Sequence, residues 1–305
     1  MPADEFSLIA RYFSAYGRGE AVDLGVGDDC AILSLRPGER LATSVDSAVE
    51  GVHFPDFTLP EDTAYRAVAA AASDLAAMGA RPLGMTLALT LPEADELFLH
   101  SFSQGLGRAA SDFALPLVGG DTTRGPLTVT VQVFGALPAQ QALLRGGAQV
   151  GDELYVSGTL GDAAGGLALL RGEWHSDETS EAFLEGRFHR PTPRLLLGQQ
   201  LLGLASAAID ISDGLLADAG HIAASSGVRL RIDPDLLPLS PALLTQPDRE
   251  RVLHWALSGG DDYELCFTMP PGTDLPPGCA RIGEVLAGEG VDCPGAPALD
   301  GYRHF

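Results

Sequence analysis

The chain contains no lysine and no asparagine, and all 19 cationic side chains in its 305 residues are arginine. A Walker-type P-loop needs lysine on the phosphates, and a protein kinase needs a strand lysine and a catalytic-loop asparagine. Schiff-base and pyridoxal enzymes need an amine nucleophile, and an Asn-X-Ser/Thr glycan acceptor needs the asparagine. Composition alone excludes all four. Cysteine is scarce too: Cys30, Cys266, Cys279 and Cys293 are widely spaced with no CxxC, so neither a zinc site nor a dense disulfide frame is signalled. HExxH, GxSxG and GxGxxG are absent, and the histidines are scattered. No basic segment precedes an apolar run at the N-terminus. The most apolar helical stretch, 67–78, is interrupted by Ser73 and Asp74 and is too short and polar to span a membrane. The reading is a cytoplasmic protein.

Acid is what the chain has in excess. Asp and Glu total 41, for a formal net charge of -22. Such charge repels nucleic acid and anionic membranes, and also a phosphorylated substrate unless cations intervene. Hydrophobic residues at 46% and charged residues at 20% place the chain far from the disordered regime. Its length suggests two domains.

Periodicity predicts helices over 5–16, 62–78 and 95–113, and strands over 29–35, 41–45, 85–91 and 116–118. The run 127–137 alternates apolar and polar residues, the cleanest strand signal present. Strands and helices mix without strict βαβ alternation, so the expected class is α/β with mixed α+β sheets, helices covering one sheet face. A stretch rich in Ala, Gln and Gly at 138–151 divides an N-terminal domain, 1–140, from a C-terminal one, 148–305. The second half opens on a strand, 153–157, and a Gly-rich LGDAAGG turn. A helical hairpin surrounds Pro191 and Pro193, and further strands are expected at 228–232 and 263–269.

Most of the acids are solvated surface groups, but a few sit where surface charge has no reason to be. Asp28 and Asp29 follow a Gly-Val-Gly turn, and Asp46, Asp121 and Asp210 each terminate an apolar run. Asp74 lies in or near the last turn of an Ala-rich helix, where the macrodipole disfavours an anion. Carboxylates beside glycines that admit a phosphate are how hard cations are set between protein and ligand. An EF-hand loop starting at Asp210 fails, because its twelfth position is His221 instead of glutamate. The set suggests aspartates binding several Mg²⁺ ions that neutralise a polyphosphate, with Arg124 and Arg145 as the arginines best placed to help.

The motifs EFSLI (5–9), GVGDDCA (25–31), VDSAVEGVHF (45–54), SDLAAMGARP (73–82), LVGGDTTRGP (117–126), IDISDGL (209–215), SGGDDYEL (258–265) and GYRHF (301–305) occur in order along the chain. As a set they closely resemble the thiamine-monophosphate kinase family, of the same fold group as aminoimidazole ribonucleotide synthetase and selenophosphate synthetase. The resemblance implies an N-terminal α/β domain whose sheet pairs with its twin across a homodimer, then a C-terminal α/β domain completing the substrate site. It implies transfer from ATP to thiamine monophosphate, giving thiamine diphosphate. Carried over residue by residue, Asp29, Ser44, Val45, Asp46, Asp74, Asp121, Asp210 and Asp213 would bind Mg²⁺. Gly120, Asp121, Arg145 and Ser212 would contact ATP, and His53, Asp261 and Tyr302 the thiamine phosphate. Three positions depart from the family pattern: Asp261 replaces the common Glu, Ala72 stands near a usual Asn, and Val45 replaces a Thr, so that it can offer a metal only its backbone carbonyl. The competing readings are another synthetase of the superfamily, a metal-dependent phosphohydrolase, or a divalent-metal buffer protein.

Overall fold

The computed structural model describes residues 5–295, which divide into two compact units: residues up to Leu75 with Ala80–Gln140, and Ala76–Gly79 with the chain from Gln141 onward. The first unit carries α1 (Glu5–Tyr12), a β1–β2 ribbon (Val22–Leu24, Ile32–Leu33), β3 (Glu39–Val49), α2 (Pro60–Met78), β4 (Arg81–Leu91), α3 (Glu96–Asp112), β5 (Leu117–Arg124) and β6 (Thr128–Pro138). Four strands form one sheet in the order β3-β6-β4-β5, antiparallel except for the parallel β4–β5 pair. Along β6, Val129, Val131 and Val133 are fully buried while Thr128, Thr130 and Gln132 are half-exposed, so one face meets the core. Helices α2 and α3 contribute Val68, Ala72, Leu99, Phe102 and Leu106 to the buried set.

The strands run longer than the apolar runs suggest. Pairing of β3 with β6 continues to Val49 opposite Thr128, so Asp46 sits inside a strand instead of ending one. Asp121 likewise lies within β5, opposite Ala88. Ladder hydrogen bonds carry the extended backbone through polar residues that an apolar-run reading takes as strand ends.

Helices α2 and α3 touch at Gly105. A Cβ there would lie 2.0 Å from the Glu61 carbonyl oxygen, and Ser101 Oγ donates to Glu61 Oε2 at 2.5 Å beside it. Gly105→Val is expected to lower stability by about 1–3 kcal/mol through overpacking. A urea midpoint that falls with unchanged slope would register it, and an unmoved midpoint would refute the contact.

The second unit carries β7 (Glu153–Ser157), α4 (Asp162–Leu170), α5 (Glu178–His189), α6 (Leu195–Leu201), β8 (Ala207–Asp210), α7 (Leu215–Ser226), β9 (Arg229–Ile232), α8 (Arg249–Ser258), β10 (Leu265–Met269), β11 (Cys279–Leu286) and β12 (Gly290–Asp292). Its sheet runs β12-β9-β11-β7-β10-β8, all antiparallel but β12–β9. Leu215, Ala219 and Ile222 of α7 and Leu253 and Leu257 of α8 pack on Leu154, Val156, Ile209 and Val285 of the strands. Helix α8 and strands β11 and β12 carry no clear periodic signal and were not expected from the sequence. Residues 263–264 precede β10 instead of joining it.

Candidate active site

In the first unit the expected residues form two groups. Antiparallel partners share a sheet face, so Ser44 and Asp46, opposite Val133 and Val131, lie on the buried face of the sheet. There the Ser44 hydroxyl donates to Asp74 Oδ2 from α2, joining two of the expected metal ligands. Val45, opposite Gln132, presents its side chain to the other face. The second group lines a cavity of about 620 Å³ that contains Asp28, Asp29, Gly120 and Asp121. Asp28 Oδ1 accepts the Asp29 N–H at 2.8 Å. Glycine is required at 120, because a Cβ would lie 2.0 Å from the Leu87 carbonyl oxygen.

These two groups sit on opposite edges of the sheet. One row of paired residues, Asp46–Val131–Leu87–Gly120, crosses all four strands. Three inter-strand steps separate its ends by about 14 Å, too far for one ion to bridge the two edges within one sheet. His53 lies in the turn after β3, where its Nδ1 accepts the Val49 N–H at 3.0 Å. The remaining ring proton of a neutral imidazole is then on Nε2, which makes that nitrogen a donor.

In the second unit, Asp210 closes β8 opposite Leu265. The pairing continues irregularly past the strand ends: Tyr263 N–H donates to Ile211 O, and Asp261 N–H to Ser212 O, both at 2.8 Å. Ser212, Asp213 and Asp261 are thus gathered by backbone bonds. Asp261 and Tyr263 have φ of 62° and 50°, a region that costs a non-glycine residue energy, and the Tyr263 hydroxyl donates to Asp261 Oδ1 at 3.2 Å. Arg145 is exposed, and its carbonyl accepts from Ser226 Oγ at 3.4 Å. Tyr302 lies outside the described residues.

Two features were missed. Asp218 of α7, 2% exposed, accepts the N–H groups of both Ser212 and Asp213 at 3.0 Å and so shapes the loop between them. Burial, then the negative charges of Asp210 and Asp213, push its carboxyl up to about 8. Its signal was an acid on the apolar Leu215–Ala219–Ile222 face of a helix. The other is a buried cluster around Glu264, which accepts from Arg187, Arg194 and Ser157. Beside it Asp262 accepts the Gly161 N–H at 2.8 Å, and burial holds its carboxyl well above the usual range.

The family model for AIR synthase related protein, N-terminal domain, matches residues 27–137, and the model for the C-terminal domain matches 149–293. The thiamine-monophosphate kinase of Salmonella typhimurium is 52% identical over 273 residues, which cover 88% of this chain and 84% of that protein. The chain belongs to the thiamine-monophosphate kinase family. A solved thiamine-monophosphate kinase, from Stenotrophomonas maltophilia K279a, has a TM-score of 0.85 at 45% identity, covering 92% of this chain and 93% of its own. The structure of AaThiL complexed with AMPPCP and TMP has a TM-score of 0.82 at 35% identity, covering 89% of each chain. These thiamine-monophosphate kinases share the mixed α/β fold found here.

Among the described residues, no group of three or more His, Cys, Asp or Glu side chains is arranged to hold a metal ion by itself. The donors still suit a hard cation: carboxylates, one hydroxyl and one carbonyl, all oxygen. Mg²⁺ keeps waters and takes substrate phosphate oxygens in preference to an all-protein cage, so a split carboxylate set is compatible with it. No helix among the described residues is long and apolar enough to cross a membrane.

Proposed function

We propose that this chain transfers the γ-phosphoryl group of ATP directly to thiamine monophosphate, giving ADP and thiamine diphosphate, with Mg²⁺. The observation that carries the reading is the cavity of the first unit, where Asp29, Asp121 and the close-packed Gly120 line one space. A relative solved with an ATP analogue and TMP supports it. The acceptor is already a phosphate with a second pKa of about 6, so it is largely ionised at neutral pH and needs no general base. His53, whose Nδ1 accepts the Val49 N–H, would contact the acceptor phosphate.

Asp29, Ser44, Val45, Asp46, Asp74, Asp121, Asp210 and Asp213 would hold the metal ions. Bound Mg²⁺ supplies charge neutralisation of the phosphates and a template for in-line displacement. The protein contributes position: Ser44 fixes the Asp74 carboxylate, Asp218 holds the 212–213 loop, and Gly120, Arg145 and Ser212 take the nucleotide. Asp261, steadied by Tyr263, and Tyr302 complete the acceptor contacts. Ligands on opposite edges of one four-stranded sheet support a homodimer, in which a second copy brings the complementary edge close. The protein works in the cytoplasm, where both charged substrates are held.

The test is ADP release across a panel of phosphorylated vitamins and nucleotide precursors. ADP is expected only with thiamine monophosphate, and release without any acceptor would convert the reading to a hydrolase. Incubation with γ-labelled ATP alone is expected to leave the protein unlabelled. A trapped phosphoprotein would refute direct transfer.

A further inference from the structure

A second cavity in the first unit, of about 530 Å³, shares no lining residue with the one that holds Asp29, Gly120 and Asp121. The turn after α1 runs from one to the other: Phe13 and Ser14 line the first cavity, Ala15 and Tyr16 the second. Buried Ala21, Leu83 and Ala110, with Pro116, give the second an apolar wall. The Tyr16 ring is packed on the backbone of α3, where a Cβ at Gly107 would stand 2.3 Å from its Cε1. Three charged side chains also line the space, and two are already paired. Glu20 accepts from Arg36 Nη2 at 2.8 Å, and Arg81 Nη2 donates to both Glu39 carboxylate oxygens at 2.9 Å. Arg18 is the third. Among the described residues, no ion pair or side-chain hydrogen bond engages its guanidinium, nor the hydroxyls of Tyr16 and Ser111 on the same lining.

We propose that this cavity binds a small organic anion, a carboxylate or phosphate monoester on an apolar body. Arg18, Tyr16 and Ser111 take the anionic head, and Ala21, Leu83, Ala110 and Pro116 the body. The site lies outside the phosphoryl-transfer machinery and does not depend on it. A guanidinium fork matches either head bidentately, and charge-assisted hydrogen bonds are the strong ones. A divalent cation finds no free carboxylate here, because the one on the lining is engaged by Arg36. A polyphosphate carries more charge than one uncompensated arginine offsets, and Glu20 would repel it. An uncharged molecule would cover Arg18 without giving its charge a partner. The volume falls in the range of about 300–1,000 Å³ typical of small-molecule sites.

Benzoate, phenyl phosphate and phenol share one ring and differ in the head, so each is titrated calorimetrically into the full chain. Benzoate, phenyl phosphate or both are expected to bind with a Kd of about 1 mM or below, and phenol about tenfold more weakly or worse. Binding by one anion alone assigns the head as carboxylate or phosphate. Arg18→Gln removes the charge at an exposed position and should weaken the bound anion by about tenfold. Ser111→Trp fills the space from an exposed position on α3 and should abolish binding, with circular dichroism to verify the fold. Arg18→Gln carries the test by itself if that variant fails to fold. Saturating Mg²⁺ and AMPPCP should leave the Kd of the anion within about twofold. Failure of both anions to saturate, phenol binding as tightly as they do, or an unchanged Kd in Arg18→Gln would overturn the site. Displacement by AMPPCP would overturn it too, by placing the probe in the other cavity.

Discussion

Asp121→Asn is expected to lower kcat by about 10²–10³-fold while the protein stays folded. The substitution keeps shape and removes one negative charge from the cavity, at a residue that is exposed and lies on an edge strand. No ion pair among the described residues engages Asp121 or its cavity neighbour Asp29. Folding therefore loses little, and stability should stay within about 0.5 kcal/mol, the range of surface changes. Catalysis loses a carboxylate that offsets the charge of a metal–polyphosphate, which the chain, with no lysine, has few other means of binding. Asp46→Asn on the opposite edge should lower kcat by a comparable factor. The check is steady-state turnover over a range of Mg²⁺ concentrations, beside a melting curve. Near-normal turnover in either variant would sink the metal assignment for that edge.

The acids nominated for the candidate site stand out in the sequence because they sit at odds with local rules. An acid beside glycines after an apolar run, or inside an Ala-rich helix, is visible without coordinates, and Asp29, Asp74, Asp121 and Asp210 are nominated that way; the structure brings Asp29 and Asp121 to one cavity. The fold class followed from the mixture of two periods. What the sequence concealed was long-range. Asp46 and Asp121 read as strand ends, because ladder pairing that extends β3 and β5 through polar residues leaves no apolar signature. Their placement on opposite edges follows from strand order, which no local pattern encodes. Asp218 was passed over as one acid among many, although its two backbone hydrogen bonds make it part of the loop that carries Ser212 and Asp213. The Glu264 cluster draws on Ser157, Arg187 and Arg194, too far apart in sequence for spacing to suggest contact.

Glu264→Leu is expected to be the most destabilising single change among those considered, at about 3–5 kcal/mol. Glu264 is fully buried, and the side chains of its partners Arg187 and Arg194 are only 13% and 31% exposed. Arg194 is bidentate, and its guanidinium pKa is raised chiefly by the hydrogen bonds it donates to Glu264. Leucine in place of glutamate leaves two cations without their carboxylate, that of Arg187 almost wholly removed from water. The cost arises from stranding the arginines more than from losing the attraction, which distinguishes it from a cavity effect. Replacing Glu264 and Arg194 together, by Leu and Met, should therefore recover much of the loss, because Arg187 Nε still lies 3.7 Å from Asp162. Asp162 has hydroxyl donors in Ser240 and Thr159, both at 2.5 Å, to satisfy its oxygens. Urea unfolding of the single and double variants decides it. A double variant less stable than the single would show that packing, not unpaired charge, sets the cost. The loop should feel the single change before the sheet does. Residues 261–263 hold a left-handed backbone at both ends with buried Asp262 between, and Glu264 is the next link in the chain. In any folded fraction of Glu264→Leu, KM for thiamine monophosphate should rise more than kcat falls, because relaxing that loop first releases Asp261 from the position Tyr263 holds for it.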